Sequence, residues 1–152
     1  MKKLIKKLDA TIINWLQTLE LPLARIAIFT VYFWFGALKL FGVSPAAPLV
    51  QALFERTINV MPFGTFYIVF SLFEVTIGLL FLIRGMERVA IFLIGLHLVT
   101  TVLPLIFLPQ VTWQAFLIPT FEGQYIIKNI LIAASAVLVG SRVVAYGAKK
   151  KS

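Results

Sequence analysis

Glu74, His97, Lys39 and Lys128 pose the first chemical question, because each interrupts a long apolar run. A carboxyl group and an imidazole can exchange protons near neutral pH, and an ammonium group can hold an oxygen or an anion. At membrane depth such groups are costly to keep charged, so they pair, lose their charge or serve a function. At about 1.5 Å per helical residue, Glu74 and His97 come out at similar depth near the middle of their segments. Lys39 and Lys128 come out roughly one turn inside the outer boundary by the same count. A lysine stem reaching down would close most of the gap to Glu74, and Gln124 and Asn129 add amides near that end. The candidate intramembrane polar site is therefore Glu74, His97, Lys39, Lys128 and Asn129.

Two readings of these residues stand side by side. An internal ion-pair network fixes helix packing and by itself explains how the charges tolerate lipid. Alternatively, they form a small polar site for a quinone headgroup, an anion or a proton step, with Glu74 or His97 exchanging protons and a lysine holding an oxygen. Residue by residue the packing role is preferred, except for Glu74 at mid-bilayer, where the functional role is. A lone histidine on an apolar helix more often packs than catalyses. Tyr32, Phe33, Trp34 and Phe35 cover every face of their helix and form no cofactor box; they serve lipid contact and packing. Arg25, near a membrane boundary, is expected to snorkel to phosphates. No residue is assigned a catalytic role.

The composition says what must position these side chains. Of the 152 residues, 61% are hydrophobic and only 13% charged, and the mean hydropathy is +0.98. Soluble domains are closer to half apolar and a quarter charged, and a chain this short has too little interior to hide the excess. Lipid is the solvent that suits it. Four segments approach the ~20 residues a bilayer requires: about 22–42, 65–83, 88–108 and 125–145, with Pro104 expected to bend the third. The fold class is thus all-α, an integral membrane four-helix bundle. Zero cysteines exclude disulfides, thiolate metal sites and thiol relays within the chain, and the single histidine argues against a multi-histidine metal centre.

The remaining segments set topology. Residues 1–20 place Leu4, Ile5, Leu8, Ile12, Ile13, Trp15, Leu16 and Leu19 at helical spacing, lysines mostly opposite. They read as a separate interfacial amphipathic helix with Trp15 at headgroup level, and Pro22 suits the first turn of the next element. A secretory signal is disfavoured because Asp9, Asn14 and Gln17 interrupt the apolar stretch. The net charge of +8 is concentrated at the ends, in Lys2, Lys3, Lys6 and Lys7 and in Lys149, Lys150 and Lys151 of the 146–152 tail. Such clusters anchor to anionic headgroups and are not the aromatic-interleaved surface of a nucleic-acid binder. The N-terminal segment, the 84–88 turn and the C-terminal tail are all basic, whereas the other two connections carry only Arg56. The positive-inside rule then puts both termini in the cytoplasm. Residues 49–59 read as a short amphipathic helix, and 109–124 as an apolar segment in the outer interface or over the bundle mouth. Ala133, Ala136 and Gly140 give small-residue spacing for close helix approach.

Several of these features together resemble the DoxX-like family of small four-helix bacterial membrane proteins. The likeness rests on Phe35-Gly36-Ala37-Leu38-Lys39-Leu40, a proline-containing outer segment, Glu74 with Gly78, the turn bearing Arg84 and Arg88, and Gly123-Gln124-Tyr125-Ile126-Ile127-Lys128-Asn129. It covers roughly residues 22–145, and within it Lys39 and Glu74 match the family pattern. It implies a multi-pass protein of the bacterial inner membrane. Some relatives look like membrane subunits of thiosulfate:quinone oxidoreductases, and others are linked to oxidative-stress resistance with partner proteins. Cysteine-using branches are excluded by composition.

Two functions are carried forward. The first is an accessory membrane subunit of a quinone-linked redox or oxidative-stress system, with quinone as the noncovalent cofactor. The second is a non-enzymatic interaction or assembly protein, docking a membrane or peripheral protein partner, whose intramembrane ion pairs are structural. A transporter or channel ranks third, because four short helices enclose a pore only as an oligomer and no span is strongly amphipathic.

Overall fold

The computed structural model describes residues 2–58 and 60–143. Four helices in it are long and apolar enough to cross a membrane: α1 (Lys2–Leu40), α3 (Phe63–Leu82), α4 (Glu87–Phe107) and α6 (Phe121–Ser141). Between them lie α2 (Ala47–Thr57), the single-turn α5 (Pro109–Thr112) and a hairpin of β1 (Trp113–Ala115) and β2 (Ile118–Pro119). Helices are what lipid permits, since every backbone N–H and C=O in a span must be satisfied within the chain. The second, third and fourth expected spans agree with α3, α4 and α6 to within a few residues, the first agrees with α1 only at its end, and the amphipathic segment near 49–59 is α2.

The chain departs from expectation at its start. No break separates an interfacial helix from the first span: α1 is helical for 39 residues and passes straight through Pro22. Proline removes one N–H from the ladder and strains the preceding turn, which usually ends or kinks a helix. Here good helix formers on both sides carry it through. At ~1.5 Å per residue α1 is about 58 Å long, nearly twice the roughly 30 Å of the other three. Residues 2–18 are exposed around the whole circumference, so the lower half of α1 projects beyond its neighbours. Lys149, Lys150 and Lys151 lie outside the described residues.

Within the bundle α1 packs most extensively on α3 and also on α6, while α4 packs on α6 and α3. Two glycines let α1 and α3 approach closely. A Cβ on Gly36 would lie 3.0 Å from the Ser71 carbonyl oxygen, and one on Gly78 would lie 2.8 Å from the Phe33 amide nitrogen. The α6 small residues serve contacts inside the chain: Ala136 is buried, and a Cβ on Gly140 would lie 3.2 Å from Ile91 Cδ1. The core is Ala24, Ile28, Tyr32, Ile77, Phe81, Ala90, Ile94, Ala136 and Val139.

The two ends of the bundle are built differently. At one, a four-residue connection centred on Gly85 joins α3 to α4, and ion pairs bind Arg25 to Glu87 and Arg142 to Glu20. Arg25 thus has a protein partner where a lipid phosphate was expected. The other end carries α2, α5 and the hairpin. There Pro104 sits inside α4 near its end. Thr112 Oγ1 donates to the Leu108 carbonyl (3.1 Å), and Trp113 Nε1 to that of Leu105 (3.0 Å). Thr120 Oγ1 accepts from the Gly123 amide (3.1 Å) as the N-cap of α6 and donates to the Val111 carbonyl (2.7 Å). Gly123 is required at this crossing, because a Cβ would lie 2.1 Å from the Thr112 carbonyl oxygen. The apolar segment 109–124 is therefore a tied structure with an exposed apolar tip, Phe116 and Leu117.

Candidate functional site

Lys39 is placed by the way α1 stops. Gly42 adopts a left-handed φ of 71°. Its amide donates to the Lys39 carbonyl and that of Val43 to the Leu38 carbonyl, both at 3.0 Å, the pairing of a Schellman stop. The helix thereby ends one residue after Lys39, fixing the ammonium in the last turn at the hairpin end. The close α1–α3 contact at Gly36 then brings Lys39 and Glu74 together. Lys39 Nζ donates to Glu74 Oε2 at 2.6 Å, and both side chains are more than nine-tenths buried.

The other carboxylate oxygen reaches α4. Glu74 Oε1 lies 3.0 Å from His97 Nε2, and His97 Nδ1 lies 3.1 Å from the Tyr32 hydroxyl on α1. A neutral imidazole satisfies the whole chain in one sense: the Tyr32 O–H donates to Nδ1, and Nε2–H donates to the carboxylate. Tyr32, Lys39, Glu74 and His97 are all buried. Aromatic rings wall them in. Phe70 stacks on the imidazole at 5.3 Å between centroids, Tyr32 meets it edge-on at 5.0 Å, and Lys39 Nζ lies 5.7 Å from the centre of the Phe70 ring. Phe70 continues outward through Phe66 to Phe54, the buried residue of α2.

Three of the five expected site residues meet here: Lys39, Glu74 and His97. Lys128 does not join them. The buried face of α6 carries Gly123, Ile126, Ala136 and Val139, and Lys128 projects from another side, exposed, its Nζ 4.9 Å from the Tyr125 ring centre. Asn129 is half-buried and has no hydrogen bond to the cluster among the described residues. Counting residues along α6 does not say which way a side chain faces, and rotation about the helix axis takes both away from the cluster. Tyr32 is the member that the sequence reading missed, because it sat in a run of four aromatic residues covering every face. The available signal was spacing: Tyr32 and Lys39 are seven residues apart, hence on one face of α1.

Two further polar groups lie toward the hairpin end. Ser71, fully buried, donates to the Tyr67 carbonyl at 2.5 Å. The Tyr67 hydroxyl is buried and lacks a hydrogen-bond partner among the described residues. Ser44 stands close beside it, and Glu74 is within electrostatic reach.

Chemically, the cluster is a carboxylate bridging an ammonium and an imidazole, with a phenol behind. No group of three or more His, Cys, Asp or Glu side chains able to hold a metal occurs among the described residues. Compared with known proteins, the chain matches no family model, no curated protein and no solved structure.

Proposed function

We propose that this chain is a DoxX-like accessory subunit of a quinone-linked redox or oxidative-stress system in a bacterial inner membrane. Both termini face the cytoplasm, and the Lys39–Glu74–His97–Tyr32 cluster exchanges protons near a quinone headgroup. What carries the reading is that one intramembrane carboxylate is bonded at 2.6 Å to an ammonium and at 3.0 Å to an imidazole, on three different helices. A quinone changes protonation when it changes redox state, so a carboxyl–imidazole pair beside it has work to do. The basic N-terminal half of α1, with Lys2, Lys3, Lys6, Lys7 and Trp15, anchors the protein to anionic lipid.

The test is thermal stability in mild detergent, wild type against Glu74→Gln, with and without a soluble quinone analogue. A ligand that binds the folded protein raises its stability by mass action. Stabilisation of the wild type that is lost in the variant supports a quinone site at Glu74. No response in either protein removes quinone from the account.

A second reading is a non-enzymatic membrane assembly protein. It is favoured by the completeness of the pairing: both oxygens of Glu74 and both nitrogens of His97 already have protein partners. Under that reading the cluster fixes the three helices, and the exposed hairpin tip and α1 face serve partners. Copurification of a specific membrane protein, unaffected by Glu74→Gln, would select it.

A further inference from the structure

The polar cluster divides the bundle interior unequally. Toward the connection between α3 and α4, everything inward-facing beyond Tyr32 and His97 is apolar and closely packed: Ile28, Ile77, Phe81, Ala90, Ile94 and Val139 are each 1% exposed or less. That plug spans at least two helical turns of α1, from Tyr32 down to Ala24, before the next charges, Arg25 and Glu87, at the rim. Water and protons have no polar group to visit in it.

Toward the hairpin end the interior stays polar. Lys39 lies one residue from the end of α1. Tyr67 is seven residues before Glu74, on the same face of α3 about 10 Å nearer that end at 1.5 Å per residue. Its buried hydroxyl meets no hydrogen-bond partner of good geometry among the described residues, and Ser44 lies close beside it. A buried hydroxyl ordinarily finds a partner, and where the protein supplies none, water does so. From α1 the titratable groups facing His97 are Tyr32 and, through Glu74, Lys39; from α3 it is Glu74. The buried residues of α2 and α6, Phe54, Gly123, Ile126, Ala136 and Val139, carry no titratable group.

We infer that the Glu74–His97–Tyr32 network is open to water and protons from the hairpin end alone, with the Tyr67 hydroxyl holding the water that links Ser44 to the Lys39–Glu74 pair. Tyr67 is a positioning residue in this route, and Tyr32 is its blind end. Whatever proton the cluster gives or takes is exchanged on that one side of the membrane. The inference rests on the proton-exchanging role proposed above for the cluster, but not on quinone being the redox partner.

The composition makes the test clean. The chain has no cysteine and one histidine, so an introduced thiol and a ¹⁵N-labelled imidazole are each unique. The first experiment treats sealed membrane vesicles from either side with a charged, membrane-impermeant methanethiosulfonate. Phe116→Cys marks the hairpin side and Arg84→Cys the opposite one. The expected result is that Tyr67→Cys reacts from the side that labels Phe116→Cys, while Ile28→Cys and Ile94→Cys react from neither. Labelling of Tyr67→Cys from the Arg84→Cys side, its silence from both sides, or labelling of Ile28→Cys would overturn the inference. The second experiment uses Tyr67→Phe, which keeps the ring and the packing, and follows exchange of the His97 ring N–H with water by ¹⁵N NMR in nanodiscs. Slower exchange in Tyr67→Phe is expected, and an unchanged rate rejects Tyr67 as the link. Sided labelling in a protein that binds no quinone analogue would leave this route standing and remove the redox partner. Quinone binding without sided labelling would do the reverse.

Discussion

The two halves of the bundle interior solve the same problem in opposite ways. The half toward the α3–α4 connection is hydrocarbon, with Ile28, Ile77, Phe81 and Ile94 filling it and charges confined to rim pairs. The half toward the hairpin contains Tyr32, Lys39, Glu74 and His97, linked to one another and shielded by aromatic rings. An apolar half needs only close packing to be stable. A polar half needs every partner in place, because a single deletion leaves a charge or donor stranded away from water. The difference therefore predicts where the molecule is brittle.

The largest effect is expected from Glu74→Ala, which strands the Lys39 ammonium and the His97 N–H together. Breaking a buried pair from one side costs about 3–5 kcal/mol, so thermal unfolding in detergent should show a large drop in midpoint. The double variant Glu74→Leu/Lys39→Met should recover much of it, because removing both charges also removes their desolvation cost. A double variant as unstable as Glu74→Ala would mean that the helices need the ion pair for its geometry as well.

Next comes the close helix approach that both halves share. Gly78→Ala puts a methyl group 2.8 Å from a backbone nitrogen of α1, and overpacking of this kind costs roughly 1–3 kcal/mol. Equal stability of Gly78→Ala and wild type would show that α1 and α3 can separate, and would weaken the claim that Gly36 and Gly78 hold Lys39 against Glu74.

Tyr32→Phe removes one neutral hydrogen bond to His97 Nδ1 while keeping the ring, an effect of about 1 kcal/mol. Its ¹⁵N spectrum sharpens the comparison: loss of the phenol should free Nδ1 and shift the balance between the two tautomers of His97. Smallest of all should be Glu20→Gln at the opposite rim, where Arg142 is 55% and Glu20 28% exposed. Such pairs contribute about 0–1 kcal/mol and are screened by salt. A destabilisation rivalling that of Glu74→Ala would erase the distinction between rim and interior.

Much of this was legible before any coordinates. Length and hydropathy found the four spans, because a helix crossing lipid must be apolar over a known length. Lys39, Glu74 and His97 could be picked out because ionisable residues in such spans are rare. Pro22 misled, since its local cost is real but small beside the helical preference of the residues around it. Lys128 misled for a different reason: counting residues gives depth, and each residue turns the side chain by about 100° around the axis.

The sequence by itself determined the number of helices long and apolar enough to cross a membrane, the absence of cysteine chemistry within the chain and the position of each ionisable group along its helix, because these depend on rise per residue and composition alone. Only the tertiary structure decided which of those groups meet. That depends on how each helix is rotated and how near its neighbour lies, which Gly36, Gly78 and the stop at Gly42 set through contacts between residues far apart in the chain. For the same reason only packing could show Tyr32 as a partner of His97, Lys128 outside the cluster, and a carboxylate shared between an ammonium and an imidazole.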